Sequence, residues 1–149
     1  VRGDAVFTLG MLGNASEAVV KALLPLLADE DCYVRGRAAE ALGKLGLGSE
    51  TLVQQLLPIL RDEDSDVRGY AAEALGKLGN CSEAVVQGLL PLLLEERRVV
   101  RSRAGGALCN LGKKSPDILG VVIQWIEQHQ DSEYFGVGIS VLWDLVAKE

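Results

Sequence analysis

A single histidine, His129, among 149 residues removes several chemistries at once. A His-based metal cluster and a Ser-His-Asp arrangement each need more than it supplies, so no metal or catalytic residue is assigned. Cysteine is scarce too. Cys32, Cys81 and Cys109 are odd in number and form no C-x-x-C pair. A disulfide framework is therefore not expected, and a reducing, cytoplasmic setting is. No apolar run approaches the roughly 20 residues needed to cross a bilayer, and "VRGDAVFTLG" lacks a signal-peptide layout. Without a G-x-x-x-x-G-K-[ST] loop the chain has no means of its own to hydrolyse a nucleotide, and no cofactor is expected. There is no basic surplus: the net charge is −6, which argues against nucleic acid as the main partner. No stretch shows strand alternation.

What is present is a soluble, globular composition, 48% hydrophobic and 24% charged, written in a strict period. "YVRGRAAEALGKLG" (33–46) returns as "DVRGYAAEALGKLG" (66–79) with two letters changed. Val1-Arg2, Val34-Arg35, Val67-Arg68 and Val100-Arg101 recur every 33 residues, as do Leu12-Gly13, Leu45-Gly46, Leu78-Gly79 and Leu111-Gly112, and Pro25, Pro58 and Pro91. Such a period marks stacked repeats. Each unit reads as two helices. Val34, Ala38, Ala41, Leu42 and Leu45 form an apolar stripe of helical spacing, begun by an acidic cap at Asp31 or Asp64 and stopped by Gly46 or Gly79. The other helix opens at Ser16, Ser49, Ser82 or Ser115, and the prolines should kink it. The expected fold is an all-α solenoid.

These residues resemble the HEAT repeat family in its bacterial HEAT-like form, on "LLPLLADEDCYVRGRAAEALGKLG" and its echoes, over about residues 1–129. The resemblance implies a right-handed solenoid of about four and a half hairpins. It would divide into a truncated repeat (1–13), three full repeats (14–46, 47–79, 80–112) and a divergent last one (113–149), with an upstream repeat cut away. It further implies that the second helix of each hairpin lines a concave face, and that a buried ladder joins successive units, mapping to Asp29 with Arg35, Asp62 with Arg68, and Glu95 with Arg101. Gln128 and Tyr134 stand at these positions in the last unit, ending the ladder. Some HEAT-like proteins are enzymes, but the paired His-Glu motifs of deoxyhypusine hydroxylases and the basic groove of HEAT-like DNA glycosylases are missing. Near-identical repeats also resemble the arrays that follow NTPase domains in bacterial NACHT-type signalling proteins. Bilin-chromophore lyases or chaperone-like subunits are the alternative, with Tyr70, Glu73 and Arg103 as conceivable groove residues. A designed repeat protein is a third.

Comparing the copies separates scaffold from variable positions. Gly10, Gly43 and Gly76 each cost a helix about 1 kcal/mol relative to Ala, so their recurrence predicts a neighbouring backbone too close for a Cβ. The variable positions share one helical face: Tyr33, Arg37, Glu40 and Lys44; then Asp66, Tyr70, Glu73 and Lys77; then Val99, Arg103, Gly106 and Asn110; with Asp4, Phe7 and Met11 upstream. Tyr and Arg are enriched at binding hot spots. A protein or peptide partner reading this face and neutral drift on a solvated surface are the two readings. Phe7 and Met11 fit either that face or contacts to a removed repeat. In "EERRVVRSR", Arg97 and Arg98 replace the acidic helix start; they form either an anion site with Arg103 or a solvated charge run. The last unit spreads Phe135, Ile139 and Trp143 on one side and Val137, Val141 and Leu145 on another, so it either caps the stack or docks elsewhere. The functional expectation is a non-enzymatic interaction module, probing no membrane and no nucleic acid, within a larger signalling protein.

Overall fold

The computed structural model describes residues 2–12, 16–46 and 48–147; Val1 and Gly13, which the period uses, lie outside them. The described residues hold helices and no strand: α1 (Arg2–Met11), α2 (Glu17–Leu23), α3 (Cys32–Leu45), α4 (Glu50–Leu56), α5 (Ser65–Leu78), α6 (Glu83–Leu89), α7 (Arg98–Gly112), α8 (Asp117–Gln128) and α9 (Phe135–Val146). The helix starts follow the capping chemistry. Asp31 accepts from the amide of Tyr33, and Asp64 from those of Asp66 and Val67. Ser16 and Ser49 accept from Val19 and Leu52, three residues on. Ser82 holds the same position without a side-chain bond, and at α8 the cap shifts from Ser115 to Pro116. Gly46 and Gly79 end α3 and α5 at φ +66° and +69°, a left-handed turn that a Cβ would strain.

Proline produces a change of helix type at the expected kinks. After α2, α4 and α6 the chain tightens into 3-10 segments, Leu24–Ala28, Leu57–Arg61 and Leu90–Leu94, each with its proline at the start, where no amide hydrogen is needed. The corresponding residue in the last unit is Gln124, and α8 runs unbroken through it.

The odd-numbered helices stack into one layer: α1 on α3, α3 on α5, α5 on α7. Their contact line is the glycine series. A Cβ on Gly10 would lie 2.8 Å from the Cα of Ala41; on Gly43, 2.6 Å from that of Ala74; on Gly76, 2.6 Å from that of Ala107. The helices thus meet backbone to backbone, and identical register passes from hairpin to hairpin. Leu23, Leu42, Leu56, Leu75, Leu89 and Leu108 fill the space between this layer and the even-numbered helices, all fully buried. The series ends at Cys109, whose thiol reaches the Val141 carbonyl at 3.9 Å. From there α9 packs differently, on α7 through Val141 against Gly105 and Leu145 against Gly112, and on α8 through Gly138 against Trp125 and Ile126.

Candidate functional site

The acid–arginine ladder is present, with its pairing shifted by one unit from the expected one. Arg35 is bidentate to Asp62 of the following hairpin at 2.8 and 2.9 Å, with both side chains only 9% exposed. Arg68 is likewise bidentate to Glu95 at 2.8 and 2.9 Å, and Arg2 reaches Asp29 at 3.2 Å. Within its own unit each arginine instead donates Nη1 to backbone carbonyls: Arg35 to Asp29 and Glu30, Arg68 to Asp62 and Glu63, Arg101 to Glu95 and Glu96. One guanidinium therefore closes the loop of its own hairpin and clamps the next. The hydrogen bond to Asp62 raises Arg35 above its ordinary value despite burial, and the bond to Glu95 does the same for Arg68. Burial pushes the Asp62 carboxyl up, but Arg35, the Asp64 amide and the charge of Arg68 outweigh it and hold it below the usual carboxylate range. In the sequence Gln128 stands where the next acid would fall, and Arg101 lies 4.5 Å from the ring centre of Tyr134. The ladder terminates on an aromatic face.

Variable side chains from four odd-numbered helices, Phe7, Tyr33, Arg37, Glu40, Tyr70, Glu73 and Arg103, come together in one half-buried strip from which Tyr33 stands out exposed. Arg37 is the hub. Its guanidinium carbon lies 4.8 Å from the ring centre of Phe7, 5.0 Å from Tyr33 and 5.9 Å from Tyr70. Arg103 continues the column, 4.0 Å from Tyr70. Ion pairs run alongside: Glu40 with Arg37 at 2.7 Å and Lys44 at 2.8 Å, Glu73 with Lys77 at 2.6 Å and Arg103 at 3.4 Å. Lys44 also sits 4.7 Å over Phe7. Phe7 therefore belongs to this strip, while Met11 at its edge is 60% exposed. The neighbouring Tyr33 and then the hydrogen bond to Glu40 raise Arg37 well above its ordinary value, overcoming burial. Burial would raise Glu40, but bonds from Lys44 and Arg37 hold it below the carboxylate range. Arg37 Nε is buried without a hydrogen-bond partner. The result is a pre-set surface of rings and held charges on rigid helices.

The glycines beside these helices serve the strip as well. The Tyr33 ring lies where a Gly3 side chain would be, Tyr70 covers Gly36 and Arg103 covers Gly69. Lack of a side chain in one hairpin seats the variable side chain of the next, a coupling that the sequence comparison did not reveal.

Arg97 does not point a free charge at solvent. It donates to Asp66 at 2.9 Å and Ser65 at 3.3 Å across the hairpin boundary. The open cleft there, ≈660 Å³, is lined by four carboxylates, Glu63, Asp64, Glu95 and Glu96, against the two guanidiniums of Arg68 and Arg97, so its acidic excess would repel an anion. Arg98 is exposed and makes no such contact. Among the described residues no three His, Cys, Asp or Glu side chains converge as a metal site would require, and no helix is long and apolar enough to cross a membrane. In the last unit Trp125 is core, stacked on His129 at 4.4 Å. Val141 is buried, whereas Ile139, Trp143 and Val146 stay exposed on α9.

Stacked hairpins in common register, clamped by inter-unit ion pairs and with variation gathered on one face, define a helical repeat solenoid. The family comparison makes this specific: the pattern for HEAT repeats matches residues 20–109, and the chain belongs to the HEAT repeat family. Among solved structures it is similar to the complex of CpcE and CpcF of phycocyanin lyase from Nostoc sp. PCC7120, at 25% identity and TM-score 0.71, over 98% of this chain and 59% of that one. The chain thus spans about three fifths of that relative's length. Two engineered proteins share the fold, at 22% identity with TM-score 0.65 and 19% with TM-score 0.63, covering 97% and 96% of this chain and 74% and 69% of theirs. No curated protein matches the sequence.

Proposed function

We propose that this chain is a non-catalytic interaction module that binds a protein or peptide along the strip of Tyr33, Arg37, Glu40, Asp66, Tyr70, Glu73 and Arg103. We place that strip on the concave side of the solenoid. The observation that carries the proposal is the continuous column from Phe7 through Arg37 and Tyr70 to Arg103, with every ring–cation step at or under 5.9 Å. Side chains already ordered by one another lose little freedom when a partner arrives, and Tyr and Arg are enriched among the few residues that dominate protein interfaces. Repeat solenoids provide long surfaces of this kind. The net charge of −6 disfavours nucleic acid, and the module would work in the cytoplasm as a sensor arm of a larger signalling protein. An upstream nucleotide-binding loop in the full reading frame would support that last element. The test is capture from a lysate of the source cells. A folded Tyr33→Ala, Arg37→Ala, Tyr70→Ala triple variant should lose the partner at least tenfold, about 1.4 kcal/mol, while Gln54→Ala with Gln87→Ala, on the other layer, should retain it. Undiminished capture by the triple variant removes the proposal.

A second reading is a subunit of a bilin lyase, favoured by the likeness to the phycocyanin lyase complex. Tyr70, Glu73 and Arg103 would then face the tetrapyrrole, and they are indeed adjacent, Arg103 lying 4.0 Å over the Tyr70 ring and 3.4 Å from Glu73. Mixing the protein with phycocyanobilin and recording the visible spectrum separates the readings: a shifted, intensified band favours the lyase, an unchanged spectrum the interaction module.

A further inference from the structure

A small cavity opens between the N-terminal turns of α3 and α5, with a volume of ≈160 Å³. At roughly 30 Å³ per water this is room for a few waters or one side chain. Tyr33, Tyr70, Gly36 and Val67 line it together with Cys32, Asp64 and Asp66. Gly36 lets the Tyr70 ring settle against the α3 backbone, since a Cβ there would lie 3.0 Å from Tyr70 Cδ2. We propose that this cavity takes the ammonium-bearing side chain of a lysine from the bound peptide.

The argument is one of elimination by charge. The ionised groups lining the cavity are the two carboxylates. Asp64 uses Oδ1 to cap α5, and Asp66 uses Oδ2 for Arg97, so each keeps its other oxygen for a ligand. A carboxylate entering here would be repelled. An apolar side chain would strip water from both aspartates without replacing it. An alkyl ammonium satisfies both surfaces, its stem against Tyr33, Val67 and Tyr70 and its head between carboxylates and aromatic rings. The neighbouring cations are already held, Arg37 by Glu40 and Arg97 by Asp66. Tyr33 is 47% exposed, so the mouth is accessible from the strip.

This inference rests on peptide binding at the strip and names the side chain that one part of it reads. Its test uses defined probes: the tripeptide amides Ac-Ala-Lys-Ala-NH2, its norleucine and glutamate counterparts, and putrescine, titrated while amide shifts of Gly36 and Val67 are followed by NMR. The lysine peptide should bind about fivefold more tightly than the norleucine one, from a cation–ring contact and a carboxylate contact of surface strength. Asp66→Asn and Tyr33→Ala should each abolish most of that preference, and Arg97→Ala, which releases Asp66, should increase it. Equal shifts with norleucine, no shifts with any peptide, or putrescine matching the lysine peptide would each overturn the proposal. Lysine preference failing while partner capture still depends on Arg37 would remove the cavity assignment alone.

Discussion

Placing one methyl group on Gly43 tests the packing that holds the hairpins in register. The new Cβ would sit 2.6 Å from the Cα and 2.7 Å from the Cβ of Ala74, where van der Waals contact needs 3.4–4 Å. Backbone atoms cannot rotate aside, so α3 and α5 must separate by roughly an ångström, an overpacking cost of about 1–3 kcal/mol. Against this stands the helix-propensity gain of Gly→Ala, about 1 kcal/mol. The expected balance is a net loss of up to about 2 kcal/mol, near 2–4 °C in Tm per kcal/mol for a chain of this size. Gly106→Ala is the internal control: it lies mid-helix in α7 with nothing within 4 Å of its added Cβ, so only the propensity gain remains and it should stabilise by about 0.5–1 kcal/mol. Urea unfolding followed by circular dichroism reads both, provided the m-value is unchanged. If the two substitutions move stability in the same direction, the backbone-contact seam is wrong.

The ladder should be graded by burial. Arg35→Ala leaves Asp62 buried and unpaired and should cost about 3–5 kcal/mol, whereas Arg2→Ala, removing a side chain 72% exposed, should cost under about 1 kcal/mol; equal costs in chemical denaturation would contradict the assignment. The pH dependence follows from Asp62 and Glu40, both held below their ordinary values when folded. The unfolded chain then binds more protons, so this stability is complete above about pH 4–4.5 and is lost as pH falls through the lower folded values. Asp62→Asn should flatten that acid limb in thermal melts from pH 5 to 2.5, and an unaltered limb would refute the linkage.

The repetitive parts were legible because a repeat reports its own constraints. The copies show which positions recur, and the reason assigned to Gly10, Gly43 and Gly76 is the contact the helices make. The ladder register was not legible, and the cause is arithmetic. In a period of 33 an arginine six residues from its own acid is 27 from the next, and both spacings recur identically. The guanidinium decides by shape: Nη1 turns back to the loop carbonyls while Nε and Nη2 face the next hairpin. The strip was legible as a set of equivalent slots, since Tyr33 and Arg37 are four apart on one helix and Tyr70 takes the Arg37 slot one period on. Its stacking was not, because Phe7, Arg37, Tyr70 and Arg103 occupy slots on four helices whose offset only packing fixes. Arg97 looked anomalous within its own helix, and Asp66 of the previous hairpin answers it.

The central claim is that this strip is where a partner binds. Hydroxyl-radical footprinting of the captured complex against the free protein tests it most directly, since reactive aromatic side chains lie both on the strip and at the end of the stack. The account predicts that Tyr33, Tyr70 and Phe7 become protected while Trp143 on α9, 71% exposed, labels as before. Protection of Trp143 with Tyr33 and Tyr70 unchanged would place the partner on the last helix and contradict it.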